Sequence, residues 1–322
     1  MYGRLSVLRS ALVVVGCALL VGSLASAATT PPPKEELLWE HLRVAIVNVE
    51  SQLGGVVGVA ILDLTTGREL LLHPDEIFPQ ASSIKIAVLA ELYHQDAQSV
   101  GGVPGKARLL DLYKVRSEDL VADSAIMGGL TPGVTQLTNR DLATMMVAVS
   151  DNSATNVLID RVGMDNVRRL TDSLGLKNTQ LRRKMMDLKA ATEGRENIST
   201  PREMMHFLEA LYRGKVIAPA LQDDFFSVLA TPKDSWLPRD LPPEVRIANK
   251  PGSLEGVRND SGIVFIQNRP YVICVMTTFL TSERAGEDAI SRISAETYSV
   301  FDRLARASEY GRVISPGNGN SR

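Results

Sequence analysis

The segment FPQASSIKIAVLAELY, Phe78 to Tyr93, constrains the fold more than any other stretch of this chain. Apolar residues at 84, 88 and 92 form one helical stripe, and those at 86, 89 and 93 form a second. A helix that is apolar on two sides belongs in the middle of a protein, with other elements packed around it. Lys85 nevertheless sits in its first turn, among Ile84, Ile86, Val88, Leu89 and Leu92, where a charge is costly. A fold for this chain must bury that helix and find a use for the amine.

The flanking sequence supplies partners for it. Leu38, Leu42, Ala45, Ile46, Val49 and Leu53 predict a first amphipathic helix. VVGVAILDL and RELLLH flank Thr65-Thr66-Gly67 as a strand–turn–strand hairpin. From the lysine-bearing helix to about residue 230 the chain reads as mostly helical. Thr138 with Asp141, and Thr200-Pro201 with Glu203, mark helix starts in capping-box style, and Gly163 and Gly214 stop helices. Strands return with VRIANKPGS, RNDSGIVFI and YVICVMTTF, separated by turns at Glu255-Gly256 and Asn268-Arg269-Pro270. A last helix turns Ile290, Ile293, Val300, Phe301 and Leu304 inward. The expectation is an α/β protein with one sheet built from both ends of the chain (about 36–80 and 231–310). A helical lobe (about 81–230) packs on it, with a site in the cleft between. Residues 311–322, rich in Gly, Asn and Ser, read as a disordered tail.

The N-terminus reads as an address. Arg4 and Arg9, the apolar run Ala11 to Val21 and Ala25-Ser26-Ala27 fit a secretory signal peptide over 1–27, cleaved after Ala27 and followed by a linker at 28–35 that holds Pro31-Pro32-Pro33. The apolar run is too short to span a bilayer, so a periplasmic or secreted protein without a stable membrane span is expected. The rival reading is a lipoprotein box at Val14-Val15-Gly16-Cys17, which leaves only a stub of apolar residues before the cysteine. Cleavage after Ala27 leaves Cys274 as the single cysteine, so no internal disulfide forms, and in its strand-like run it reads as a buried small hydrophobe. The four histidines are scattered without metal-ligand spacing, so neither metal nor cofactor is expected. Net charge is −2 with no basic stripe, which argues against a nucleic-acid partner. Arg182-Arg183-Lys184 reads as a solvated surface. With 322 residues and 44% hydrophobic content the chain can bury a sizeable core, and a monomer is expected.

Three short motifs carry chemistry. Ser82 and Lys85 are three residues apart, so on a helix they share a face and can touch, whereas Ser83 cannot reach the amine. A serine hydroxyl needs a base, and an amine serves as one when burial lowers its pKa. A capping serine with a snorkelling lysine is the structural alternative. Ser150-Asp151-Asn152 lies between a helix at 139–149 and one at about 154–162, and taken alone is a helix cap. Lys250-Pro251-Gly252-Ser253 ends a strand and alone would pass as a turn.

In this order, S-x-x-K, S-D-N and K-x-G resemble the signature of class A β-lactamases and penicillin-binding proteins. The resemblance runs from about Lys34 to Tyr310. It implies an antiparallel sheet flanked by helices, an all-helical lobe and an active site between them. It also implies Ser82 as acylated nucleophile, Lys85 as its proton acceptor and Ser150 as the shuttle to the leaving nitrogen. Asn152 would orient the lysine and the substrate amide. Lys250 would face the substrate carboxylate, and the backbone N–H groups of Ser82 and Ser253, beyond Gly252, would form the oxyanion hole. Asn156 would support the loop that closes the site, and Asp151 its own loop.

Two departures stand out. Pro251 replaces the family's hydroxyl residue, which removes a hydrogen bond to substrate and is tolerable only on an edge strand. In RRKMMDLKAATEGRENISTP, Met185 falls where class A enzymes carry the glutamate that activates the deacylating water, and Lys189 where they carry asparagine. Asn197 takes the place of the acid that pairs with the loop arginine, Arg183, and Asp187 is the one carboxylate close by. The expected function is therefore a serine hydrolase that opens β-lactam amides and deacylates slowly. A penicillin-binding-protein-like peptidase or esterase acting on peptidoglycan-like peptides, or a β-lactam sensor or trap that stays acylated, is the alternative.

Overall fold

The computed structural model describes residues 34–308 and 310–313. The expected signal peptide, the linker up to Pro33 and the tail beyond 313 lie outside the described residues. Helix α1 (Lys34–Gln52) starts at the end of the expected linker and leads into the hairpin β1 (Val56–Asp63) and β2 (Glu69–Leu72). A short β3 (Phe78–Pro79) and a 3₁₀ turn (Ala81–Ile84) precede α2 (Lys85–Val100). The middle of the chain holds β4 (Leu112–Lys114), β5 (Gln136–Thr138), α3 (Asn139–Ala148), α4 (Asn152–Val162) and α5 (Met164–Ser173). Then come α6 (Leu188–Thr192), β6 (Ile198–Ser199), α7 (Pro201–Tyr212) and α8 (Pro219–Leu229). Strands β7 (Arg246–Leu254), β8 (Val257–Phe265) and β9 (Tyr271–Thr278) return to the sheet, and α9 (Glu283–Arg306) closes the fold.

The five long strands form one antiparallel sheet in the order β2-β1-β9-β8-β7, so both ends of the chain build it, as expected. Alternate residues separate its two faces. Val57, Val59 and Ile61 of β1, with Ile273 and Val275 of β9, pack on Trp39, Leu42 and Ile46 of α1 and Ile290, Ile293 and Phe301 of α9. Ala60 and Leu62, with Cys274 and Met276, face the helical side, where α2 and α7 pack. Both faces being covered explains why β1 and β9 read as near-continuous apolar runs. Gly58 marks the tightest approach on the helical side, since a Cβ there would lie 2.7 Å from the Phe78 ring and from Pro201.

Helix α2 and the turn before it lie at the centre, with Ile84 of the turn and Ile86, Val88, Leu89, Leu92 and Tyr93 of the helix all buried, as the two stripes require. The Thr138–Asp141 capping box is complete. At α7 only half of it forms: Thr200 accepts from the Glu203 N–H, while the Glu203 carboxylate instead takes the N–H of Asn178 and the hydroxyl of Thr179. Two small sheets, β3–β6 and β4–β5, interrupt the stretch that reads as helical. They are only two or three residues long, too short to leave a periodic pattern. After α9 the chain folds back, with Ala307 bridging Val313 and Lys34 donating to the Tyr310 carbonyl. No helix among the described residues is long and apolar enough to cross a membrane.

Candidate active site

Ser82 sits in the 3₁₀ turn and Lys85 opens α2, so the helix begins three residues later than a helical S-x-x-K implies. The threefold repeat of a 3₁₀ turn still places residues i and i+3 in line, so the two side chains keep a common direction. Lys85 is fully buried. Its Nζ donates to the Ser150 carbonyl at 2.7 Å, to Ser150 Oγ at 2.9 Å and to Asn152 Oδ1 at 3.0 Å. Ser150 Oγ in turn hydrogen-bonds Ser82 Oγ at 2.9 Å. The expected contact between serine and lysine thus runs through a second hydroxyl. Burial first, and then the charge of Lys250, hold the Lys85 amine well below the ordinary lysine range, with Asp151 opposing them.

The backbone is shaped around this relay. Ser150 has φ +58° and Ala81, beside Ser82, has φ +48°, both in a region that non-glycine residues rarely occupy. In that conformation Ser150 turns both its carbonyl and its hydroxyl toward Lys85. Asp151 holds the turn: one carboxylate oxygen takes the N–H groups of Ile126 and Met127, and the other caps α4 at Ala154. As the motif implies, it supports its loop and does not enter the relay.

Lys250 comes from β7, the edge of the sheet, which is where a proline at 251 can be accommodated. Its Nζ donates to Ser150 Oγ at 3.2 Å and to the Pro251 carbonyl at 3.1 Å. Burial lowers Lys250 to about 7, Lys233 adds to the effect and Asp260 opposes both. Ser83 Oγ donates to the Lys250 carbonyl at 3.0 Å and pins the strand to the 3₁₀ turn that holds Ser82. Gly252 makes that approach possible, because a Cβ there would lie 2.5 Å from the Gln80 carbonyl.

Ser82, Ser150, Asn152, Lys250, Pro251 and Ser253 line one cleft of about 360 Å³. Lys233, Asp234 and Trp236 form part of the same lining, as does Asp123, and none of the four was foreseen in the sequence. The lining does not include Met185 or Asp187. Met185 is buried in the apolar cluster of the helical side, and its N–H and carbonyl are both held by Asn156. Asn156 lies one turn along α4 from Asn152, so the helix that orients Lys85 also fixes the loop. Asp187 is exposed and caps α6 at Ala190. The loop arginine does have an acid partner: Arg183 pairs with Glu196 at 2.8 Å, one residue before Asn197. Asn197 instead accepts the N–H groups of Arg182 and Arg183. Cys274 is buried and burial pushes its thiol up, as suits a small core residue. Among the described residues no group of His, Cys, Asp or Glu is arranged to hold a metal ion.

The arrangement can activate a serine. A depressed, buried amine connected to the hydroxyl through Ser150 can accept its proton, and a cation beside the same hydroxyl can help to deliver a proton back.

Comparison with known proteins agrees with this geometry. The β-lactamase enzyme family matches residues 41–301. An imipenem-hydrolysing β-lactamase of Enterobacter cloacae is 26% identical over 258 residues, covering 76% of this chain and 84% of that protein. An ancestral class A β-lactamase superposes with a TM-score of 0.73 at 27% identity, covering 81% of this chain and all (100%) of the other. The L158E mutant of PBP-A, solved as an acyl-enzyme complex with penicillin G, superposes with a TM-score of 0.71 at 25% identity over 85% of this chain and 100% of that one. With its serine, two lysines and S-D-N turn converging on one cleft, the chain belongs to the β-lactamase enzyme family, as a class A β-lactamase-like serine hydrolase.

Proposed function

We propose that the chain opens β-lactam amides through an acyl-enzyme on Ser82 and releases the product slowly. Ser82 Oγ attacks the lactam carbonyl while its proton passes to Ser150 Oγ and the Ser150 proton to Lys85 Nζ; for this step Lys85 is the neutral amine, its two N–H groups on the Ser150 carbonyl and Asn152 Oδ1 and its lone pair toward Ser150 Oγ. The C–N bond then breaks, and the nitrogen takes a proton back through Ser150, next to Lys250. Asn152 orients the amine and the substrate amide, and the N–H groups of Ser82 and Ser253 receive the oxyanion. The observation that carries the first half is the hydrogen-bonded chain Ser82–Ser150–Lys85, with both links between side chains at 2.9 Å.

Hydrolysis of the ester needs a second activation, of water. Met185 cannot accept a proton, and it lies in the core with its backbone tied to Asn156. Asp187, the alternative carboxylate, is spent on capping α6. Losing a general base costs about 10²–10⁴ in rate. A long-lived acyl-enzyme would equally suit a penicillin-binding-protein-like peptidase or a β-lactam trap, and the likeness to PBP-A keeps those readings in play. Turnover of a chromogenic cephalosporin, measured beside single-turnover labelling by penicillin, separates them. Labelling with slow turnover supports the β-lactamase reading, and labelling with no turnover supports the trap. The residues 1–27 carry an export signal by composition, so the exported protein is expected to begin at Ala28 on N-terminal sequencing; a lipidated product beginning at Cys17 would contradict this.

A further inference from the structure

Helices α2 and α5 enclose a second cavity, of about 250 Å³, whose lining shares no residue with the Ser82 cleft. Glu91, His94 and Gln98 reach it from one face of α2, at the three- and four-residue spacing that a helix face requires. Arg169 comes from α5, Lys106 from the loop after α2 and Lys215 from the turn after α7.

The α2 wall is short of donors. Glu91 is only 3% exposed. Its Oε1 accepts Gln95 Nε2 at 2.7 Å, while its second oxygen has no hydrogen-bond or ion-pair partner among the described residues and is left to the cavity. On the same face Gln98 Nε2 donates to His94 Nε2 at 2.8 Å, and His94 Nδ1 donates to the Val216 carbonyl at 3.3 Å. That leaves Gln98 Oε1 buried without a partner. Three cations face this wall and none closes on it. Lys106 and Lys215 make no hydrogen bond or ion pair among the described residues, and Arg169 donates to Asn166 Oδ1. Burial pushes the Glu91 carboxyl up, and Gln95, His94, Lys106 and Arg169 act against it. The cations are thus near enough to be felt by Glu91, yet the cavity stands where an ion pair would form. A buried carboxylate left with an open oxygen is costly unless something supplies a donor.

We propose that this cavity binds a small zwitterion, an α-amino acid with an apolar side chain. Its ammonium completes the hydrogen bonding of Glu91, and its carboxylate meets Arg169, Lys106 and Lys215. Leu170, Leu174 and Val216, which also line the cavity, receive the side chain. The volume lies below the about 300–1,000 Å³ of drug-sized sites, which suits a molecule of this size. Both charges are needed: an anion alone meets the Glu91 carboxylate, and a cation alone meets three like charges. The inference does not depend on the chemistry of Ser82.

The test is calorimetric titration of the full chain with leucine, N-acetylleucine and leucinamide at neutral pH, with thermal melting as a check on folding. Leucine should bind, and each blocked compound, lacking one charge, should bind at least about tenfold more weakly. Glu91→Gln should weaken leucine by about the same factor. Through Gln95, which holds the Val162 carbonyl and the Ala107 N–H, Glu91 also supports the fold. If Glu91→Gln does not fold, the double variant Lys106→Gln with Arg169→Gln, on the rim, decides: it should weaken leucine several-fold and leave leucinamide no weaker. Leucine bound no better than its blocked forms, or bound equally by wild type and a folded variant, would overturn the proposal, as would a wild type that binds none of the three.

Discussion

The two sides of the Ser82 region are built to different standards. On the cleft side, Ser82, Ser150, Lys85, Asn152 and Lys250 form a continuous polar network with heavy-atom distances of 2.9 to 3.2 Å between side chains. The loop from Arg182 to Asn197 is held just as firmly, by Asn156, Asn197 and the Arg183–Glu196 pair, yet it presents methionine where the chemistry asks for a carboxylate. On the proposed reaction, acylation and deacylation would be carried by different residues on different elements, so each could be changed without the other.

The largest effect is expected at Ser82. Ser82→Ala should abolish covalent labelling by a fluorescent penicillin. Ser83→Ala, which loses one buried hydrogen bond to the Lys250 carbonyl, should still be labelled. Equal labelling of Ser82→Ala and wild type would remove the serine from its role. Next in size, Lys85→Ala should slow labelling by about 10²–10⁴, the usual worth of a positioned base; stopped-flow or quenched labelling reads this directly.

On the loop side, Met185→Glu, with Lys189→Asn if the single change is not enough, should shorten the acyl-enzyme lifetime. Asp187→Asn is expected to cost no more than a helix cap, about 1 kcal/mol of stability, and to leave that lifetime unchanged. A prolonged adduct in Asp187→Asn would instead place that carboxylate on the water.

The smallest effect is one of pH and divides activity from stability. Burial lowers Lys250 to about 7, and the proposed reaction uses it as an ammonium, so labelling should decline as pH rises through that value. Stability should move the other way. Burial depresses the folded-state pKa below the ordinary 10.5, so between about 7 and 10.5 the unfolded chain binds the proton more readily, and stability from this group grows with pH. The depressed Lys85 acts in the same direction. Thermal melts and labelling rates on the same samples check the opposition; parallel trends would contradict the assignment of Lys250.

Much of this was legible in the sequence, for physical reasons. Two apolar stripes around Lys85 can only mean a buried helix, and a buried lysine three residues from a serine narrows its uses. Pro251 announced an edge strand because a central strand cannot spare the N–H group. What stayed hidden depends on long-range placement. Lys233 and Trp236 are unremarkable locally and line the cleft only because the segment after α8 packs on β8. The Arg183–Glu196 pair is hidden because position along the chain does not show that the side chain next to Asn197 reaches the same arginine. The 3₁₀ turn at Ser82 has the same i,i+3 pattern as a helix, so composition cannot separate them.

The proposed reaction keeps acylation intact and makes deacylation slow. Intact-mass spectrometry after mixing wild-type protein with penicillin G tests it most directly. An ordinary enzyme turns over at about 10 s⁻¹, and loss of the general base lowers this to about 0.1–0.001 s⁻¹. The penicilloyl adduct should then persist for about ten seconds to about a quarter of an hour. An adduct that never accumulates, in a wild-type enzyme that hydrolyses penicillin at about 10 s⁻¹ or faster, would contradict the account.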